Sequence, residues 1–329
     1  MGLRFLFTIK EKIVIVSIDK KKGVNPMYII ETKDLTKKYG GNPVVNKVNM
    51  HIPEGTIYGF VGENGSGKTT IMRLITGLAE PSGGSFTMFG IPNKDRRIHP
   101  ARKQMAAIVE TTSLVPTMTA RENLIYQELY LGIKLSEEER MDLLKKVHLE
   151  NVGNKKVKNF SLGMRQRMGI ALALMNHPKL MLLDEPMNGL DPQGIAELRD
   201  LLIELNVKEH ITVLISSHIL SELEKIASIY GFISHGRLLE ELTVEELQNK
   251  CRKSLTIKVE DYDTIEKTIK GLKIKDYKIY SNGDVVIYDD IEIAAFVADL
   301  HKKGVKIISI KSSEENVEDY YLHLIKEVK

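Results

Sequence analysis

A single cysteine, Cys251, among 329 residues excludes an internal disulfide and fits a reducing cytosol. No run approaches the roughly 18 uncharged apolar residues that a membrane-spanning helix needs. Excess charge of either sign is lacking too. The 47 basic and 44 acidic residues leave a formal net charge of +3, which offers no bulk electrostatic attraction to nucleic acid. Long internal repeats and low-complexity tracts are absent. Two apolar runs near the N-terminus, residues 5–9 and 13–16, are split by Lys10-Glu11-Lys12, which argues against a secretory signal. What remains, 43% hydrophobic and 28% charged, is an ordinary globular composition with room for one large domain and a smaller one.

Against that plain background one stretch stands out. Ile57–Val61 is a short apolar run that reads as a buried strand. Gly62-Glu63-Asn64-Gly65-Ser66-Gly67-Lys68-Thr69-Thr70 follows, and then apolar residues at helical spacing, Ile71, Leu74, Ile75 and Leu78. Gly-x-x-x-x-Gly-Lys-Thr between a strand and a helix is the phosphate-binding P-loop. Its glycines let successive backbone N–H groups turn toward a phosphate with no Cβ in the way. The helix opening at Lys68 aims the positive end of its dipole at the same anion. Lys68 adds a full charge, and the Thr69 hydroxyl stands where it would ligate Mg²⁺. The candidate nucleotide contacts are Gly62, Asn64, Gly65, Ser66, Gly67, Lys68, Thr69 and Thr70.

The rest of the chain arranges itself around this loop. Met27 opens a fresh strand-like run and is expected to be the natural start, with residues 1–26 an extension; a basic arm resting on a membrane surface is the alternative. Alternating runs at 28–35, 45–52, 56–61 and 85–89 predict an antiparallel patch around the P-loop strand. Tyr39 lies in a turn and, taken alone, reads as a surface tyrosine. Residues 105–109 form another apolar run, ending in Glu110. Thr119 with Glu122, and Ser136 with Glu139, are capping boxes, so 117 to about 176 reads as an inserted helical subdomain. Alternating strands and helices return with the apolar strand 180–183, helix 192–205, strand 211–215 and helix 219–227, the pattern of a parallel sheet covered on both faces. After residue 245 the order becomes β-α-β-β-α-β with an Asn282-Gly283 hairpin turn, a ferredoxin-like split unit with no catalytic cluster. The expected divisions are 1–26, 27–245 and 246–329, and the fold class is an α/β P-loop NTPase with a small C-terminal α+β domain.

Asp184-Glu185, at the end of an apolar strand, is the second strong signal. The acid in that place in P-loop proteins holds Mg²⁺, and a carboxylate beside it can deprotonate an attacking water. Buried neighbouring carboxylates are otherwise opposed by desolvation and mutual repulsion. Upstream, Phe160-Ser161-Leu162-Gly163-Met164-Arg165-Gln166-Arg167 resembles the ABC-ATPase signature, commonly written LSGGQ-x-Q-R. Asn188-Gly189-Leu190-Asp191 looks like the family's D-loop and His218 like its switch histidine. Tyr39 falls where the family stacks adenine, which reverses the reading made of it alone. The resemblance spans residues 28–241.

That resemblance implies a head-to-tail dimer in which the P-loop of one copy and the signature of the other enclose one ATP. Ser161 and Gly163 would contact the partner's nucleotide, Lys68 its own β/γ-phosphates, and Thr69 and Asp184 the Mg²⁺. Glu185 would be general base and His218 would sense the γ-phosphate. The signature departs from the pattern at Leu162 and Met164, and the position after residues 105–109, normally a Gln that contacts Mg²⁺ and the membrane subunit, is Glu110. A glutamate there, together with this signature and tail, is similar to the bacitracin-export and lantibiotic self-protection ATPases. The implied protein is a cytoplasmic ATPase, peripheral on the inner face of the membrane. It would serve an integral-membrane permease that exports an antimicrobial peptide, with no nucleic-acid partner. Another exporter, for drugs, ions or lipids, is the first alternative. A soluble ABC ATPase acting on DNA or the ribosome is the second.

Overall fold

The structure, a computed structural model, describes residues 27–110, 112–251, 254–259, 269, 274, 276–280, 284–289, 291–313 and 317–328. The extension 1–26, most of the expected helix 262–272 and the Asn282-Gly283 turn lie outside them. The chain divides into two compact units, with the boundary between Val244 and Glu245.

In the larger unit, six strands form the sheet that carries the P-loop: β4 (Ile57–Val61), β7 (Met105–Ile108), β8 (Leu180–Asp184), β9 (Thr212–Ser217), β10 (Ile229–Ser234) and β11 (Arg237–Thr243). Their order is β11-β10-β4-β9-β8-β7, parallel throughout except for the β10–β11 hairpin. Every residue of β4, β9 and β10 is buried, which is why these runs read as continuously apolar rather than alternating. Because β4, β9 and β8 are neighbours running the same way, the segments that follow them, starting at Gly62, His218 and Glu185, leave the same end of the sheet. Ligands of open α/β sheets bind at that end.

The antiparallel patch consists of β1 (Tyr28–Tyr39), β2 (Asn42–Val48), β3 (His51–Pro53), β5 (Gly83–Met88) and β6 (Ile91–Pro92), with β1 pairing to β2, β3 and β5. Two elements differ most from expectation. The run 45–52 is two strands, because β1 pairs with β2 and β3 in separate registers. The first strand continues to Tyr39, which pairs with Asn42 across the Gly40-Gly41 turn. The two sheets share one core, including Ile30, Leu35, Met50, Tyr58, Phe60, Ile71 and Leu74. Each such side chain contributes roughly 1.5–3 kcal/mol by leaving water. Glu241 of β11 ties the patch to the main sheet, accepting from the His51 N–H at 2.8 Å and the Tyr58 hydroxyl at 2.7 Å. Burial pushes the Tyr58 hydroxyl well above its usual pKa, and the Glu241 carboxylate adds to that shift.

Helix α1 (Lys68–Thr76) follows the P-loop and ends at Gly77, and α2 (Ile98–Arg102) precedes β7. The inserted segment is helical as expected: α3 (Ala120–Leu131), α4 (Glu137–Lys146) and α5 (Leu162–Leu174). Both capping boxes form, with Thr119 and Ser136 accepting from the N–H of Glu122 and Glu139. Arg140 grips buried Glu128 with two bonds, at 2.6 and 2.8 Å, and joins Glu137 at 2.9 Å, tying α3 to α4. Arg121, with Arg140, holds the Glu137 carboxyl down to about 2.

After Asp191 comes α6 (Pro192–Glu209), four residues longer than expected, because no stop signal intervenes before His210 adopts a left-handed cap at φ 56°. The helix expected at 219–227 is only α7 (Leu220–Leu223).

The helix Val244–Lys250 starts one residue before the boundary, and among the described residues the smaller unit has four antiparallel strands. Asp284–Ile287 lies between Tyr277–Ile279 and Ser254–Val259, and Ile307–Ser313 covers the other side of Ser254–Val259. Inserting the third strand between the first two is the split arrangement expected. Leu255, Ile257, Ile269, Val285, Phe296 and Leu300 form its core.

Candidate functional site

Gly62 leaves β4 buried, Glu63, Asn64 and Gly65 form an exposed tip, and Ser66, Gly67 and Lys68 return to the interior. Gly67 caps α1 at φ 110°, a conformation side chains avoid, and a Cβ there would lie 2.9 Å from the Val44 carbonyl. The Lys68 ammonium is 5% exposed and donates to the carbonyls of Gly62 at 2.6 Å and Glu63 at 3.1 Å. The Ser66 hydroxyl is buried with no hydrogen-bond partner. Such an orphan is costly unless a ligand meets it, and with the cation and bare backbone beside it the loop suits a phosphate chain.

Thr69 and Thr70 stand half-buried in the first turn of α1. The Thr69 hydroxyl donates to one oxygen of Asp184 at 2.7 Å, and Ser216 donates to the other at 2.6 Å. The same Ser216 oxygen accepts from the N–H of Glu185 at 2.9 Å. Glu185 is left-handed at φ 48°, a strain of order 1–3 kcal/mol for a residue with a side chain. The Ser216 bond helps hold it. Its carboxylate is shared: Oε2 lies 2.7 Å from His218 Nδ1, and Oε1 lies 3.3 Å from the Lys68 ammonium. The Lys68 contact is an ion pair without hydrogen-bond alignment, and Oε1 makes no hydrogen bond. An acceptor carboxylate requires the proton on His218 Nδ1, leaving Nε2 as acceptor or, when charged, donor.

The sheet therefore brings Lys68, Thr69, Asp184, Glu185 and His218 into one cluster. Glu110 follows β7 at φ 72° and forms an ion pair with Arg73 of α1. Tyr39 and Ser161 stand on separate elements and make no hydrogen bond to that cluster among the described residues. Tyr39 is 48% exposed, with the Lys37 ammonium 5.0 Å from its ring centre. Ser161 caps α5, its hydroxyl accepting from Met164 N–H at 3.2 Å. Gly163 is buried against Gly194 at the start of α6.

Three residues of this region carry roles that the sequence motifs do not mark. Ser216 is one, because its role depends on pairing with Asp184 across two strands. Arg73 is another. The third is Gly236, whose signal was available: His235-Gly236 between two strand-like runs is a two-residue hairpin turn, and both have positive φ, 47° and 75°. The Gly236 N–H donates to the Ser66 carbonyl at 2.9 Å, and its carbonyl accepts from Asn46 at 2.8 Å. A Cβ there would sit 2.3 Å from the Val44 carbonyl. Gly236→Ala is expected to destabilise the unit by about 2 kcal/mol, a fall of roughly 4–8 °C in melting temperature, and to weaken ATP binding. A melting curve with and without ATP checks both.

Comparison with known proteins follows the same line. The family model described as ABC transporter matches residues 45–188. The bacitracin transport ATP-binding protein BcrA of Enterococcus faecalis is 40% identical over 91% of this chain and 96% of its own length. The lantibiotic transport ATP-binding protein SrtF of Streptococcus pyogenes is 42% identical over 67% of this chain and 93% of its own. Among solved structures, the ATP-binding cassette MJ0796, a dimer in a post-hydrolysis state bound to ADP and Pi, matches with a TM-score of 0.58 and 28% identity, covering 65% of this chain and 98% of that one. The chain belongs to the ABC transporter ATP-binding family, and it is an ATPase.

Proposed function

We propose that this chain powers an exporter of antimicrobial peptides of the bacitracin or lantibiotic kind, two copies closing on ATP against an integral-membrane permease at the inner face of the membrane. The observation that carries the chemistry is the shared carboxylate of Glu185, held between Lys68 and His218 beside a phosphate-binding loop. The likeness to BcrA along nearly its whole length supports the cargo. No helix among the described residues is long and apolar enough to cross a membrane.

The P-loop N–H groups and Lys68 bind the β/γ-phosphates, and Tyr39 stacks the base. Thr69 and Asp184, two oxygen donors side by side, are the residues that would hold Mg²⁺. Bound there, the ion would draw charge from the phosphate oxygens. Glu185 accepts the proton of the attacking water as its oxygen bonds to the γ-phosphorus and ADP departs with its electron pair. His218 orients Glu185 through Nδ1 and presents Nε2 toward the phosphate. Ser161 and Gly163, at the N-terminus of α5, offer backbone donors to the ATP of the second copy.

The test is resistance. The chain, expressed with the membrane-protein genes adjoining its own in a sensitive host, is expected to raise the inhibitory concentration of bacitracin or a lantibiotic several-fold. The gain should vanish with Glu185→Gln. Unchanged peptide sensitivity, with ATP-dependent extrusion of a dye or lipid instead, would move the cargo to the alternative class.

A further inference from the structure

Helix α1 presents three successive groups to the carboxylate end of the sheet. Lys68 faces Glu185 at 3.3 Å, Thr69 binds Asp184 at 2.7 Å, and Arg73, one turn beyond Thr69, pairs with Glu110. Glu110 reaches that row because β7 runs parallel beside β8, with Ile108 level with Leu183. Glu110 and Glu185 each come two residues after that last pair, at the same end of the sheet. Without Arg73, the Glu110 carboxylate would add uncompensated negative charge at the end of the sheet that already carries Asp184 and Glu185.

We propose that Arg73 is a positioning residue for ATP binding: it holds Glu110 against α1 and cancels its charge, so that a glutamate can occupy this loop without repelling the phosphates. The pair is half-exposed, with Arg73 38% and Glu110 54% accessible, so it adds little to folding stability. Its effect is on the field at the phosphates. It also fixes the backbone of Glu110, which holds φ 72°, at the exit of β7 toward α3. The proposal rests on reading the first turn of α1 as the ATP site.

A double-mutant cycle separates this role from general structure. ATP affinity is measured by calorimetry in EDTA for the wild type, Arg73→Met, Glu110→Gln and the double variant. Arg73→Met is expected to weaken ATP binding five- to tenfold in the wild-type background and less than twofold when residue 110 is already Gln. Arg73→Lys, which keeps the charge, should recover most of the affinity. In hydrolysis assays the Arg73→Met effect should fall on KM, with kcat changed far less. An equal loss in both backgrounds, or no loss in either, overturns the proposal. Glu185→Gln run alongside distinguishes the failures: normal turnover there would remove the hydrolytic reading itself, whereas additive Arg73 and Glu110 effects beside an inactive Glu185→Gln protein would remove only the role of Arg73.

Discussion

Glu185→Gln will leave ATP binding intact and slow steady-state hydrolysis by about 10²–10⁴-fold, the range lost with a positioned general base. The substitution keeps the shape of the side chain and an oxygen able to accept from His218 Nδ1, at 2.7 Å in the native protein. What it removes is the basicity that accepts a proton from water. The backbone should not move, because the N–H of residue 185 remains bonded to Ser216 and the left-handed turn keeps that support. With hydrolysis blocked and both halves of the proposed composite site still able to bind, ATP should hold two copies together. A shift to dimer mass by sedimentation with ATP, alongside single-turnover kinetics, reads both effects. Near wild-type turnover would place the base elsewhere.

Lys68→Met is expected to act at the opposite end of the cycle, lowering ATP affinity on the order of 30–100-fold. Hydrogen bonds made by a charged donor are worth about 1.5–3 kcal/mol, and each 1.4 kcal/mol is tenfold in affinity. Lys68 is buried to 5% exposure and already desolvated, so its charge acts at close to full strength on a phosphate beside it. Its removal also strips the cation from Glu185 Oε1 and the donor from the Gly62 and Glu63 carbonyls. Part of the loss should therefore appear as a lower melting temperature without nucleotide. Calorimetric titration with ATP measures the main effect; affinity within threefold of wild type would mean the loop N–H groups carry the binding by themselves. The two variants have opposite signatures: one binds and cannot turn over, the other fails to bind.

Much of this site was legible because its chemistry is written in contiguous residues. Gly62 to Thr70 names its own strand, loop and helix, and Asp184-Glu185 ends an apolar strand. The two capping boxes announced α3 and α4 by side chains that bond within three residues. What was not legible depends on partners far along the chain. Ser216 matters because β8 and β9 are neighbours, and nothing near residue 216 says so. Arg73 reads as the exposed face of an amphipathic helix until β7 delivers Glu110 beside it. Helix α7 is shorter than its apolar pattern suggested, since Ile226 and Ala227 are buried without helical backbone. Taken alone, Tyr39 reads as a surface tyrosine in a turn, and it proves to end a twelve-residue strand. The assignment of Glu110 to the metal rests on the family resemblance, and its ion pair with Arg73 gives the same carboxylate a second partner.

The hairpin turn at His235-Gly236 sets where this protein can be cut. Strand β11 begins against the nucleotide loop, through Gly236 and Ser66, and carries Glu241, the acceptor shared by His51 and Tyr58. It ends at Thr243, one residue before the boundary between units. A chain shortened after β10 would keep every nucleotide-site motif, since all of those lie upstream, yet it would lose the prop under the loop and leave the Tyr58 hydroxyl buried without an acceptor. The ATPase unit therefore needs its chain through Thr243, twenty-five residues past His218, to keep the loop propped and Tyr58 partnered.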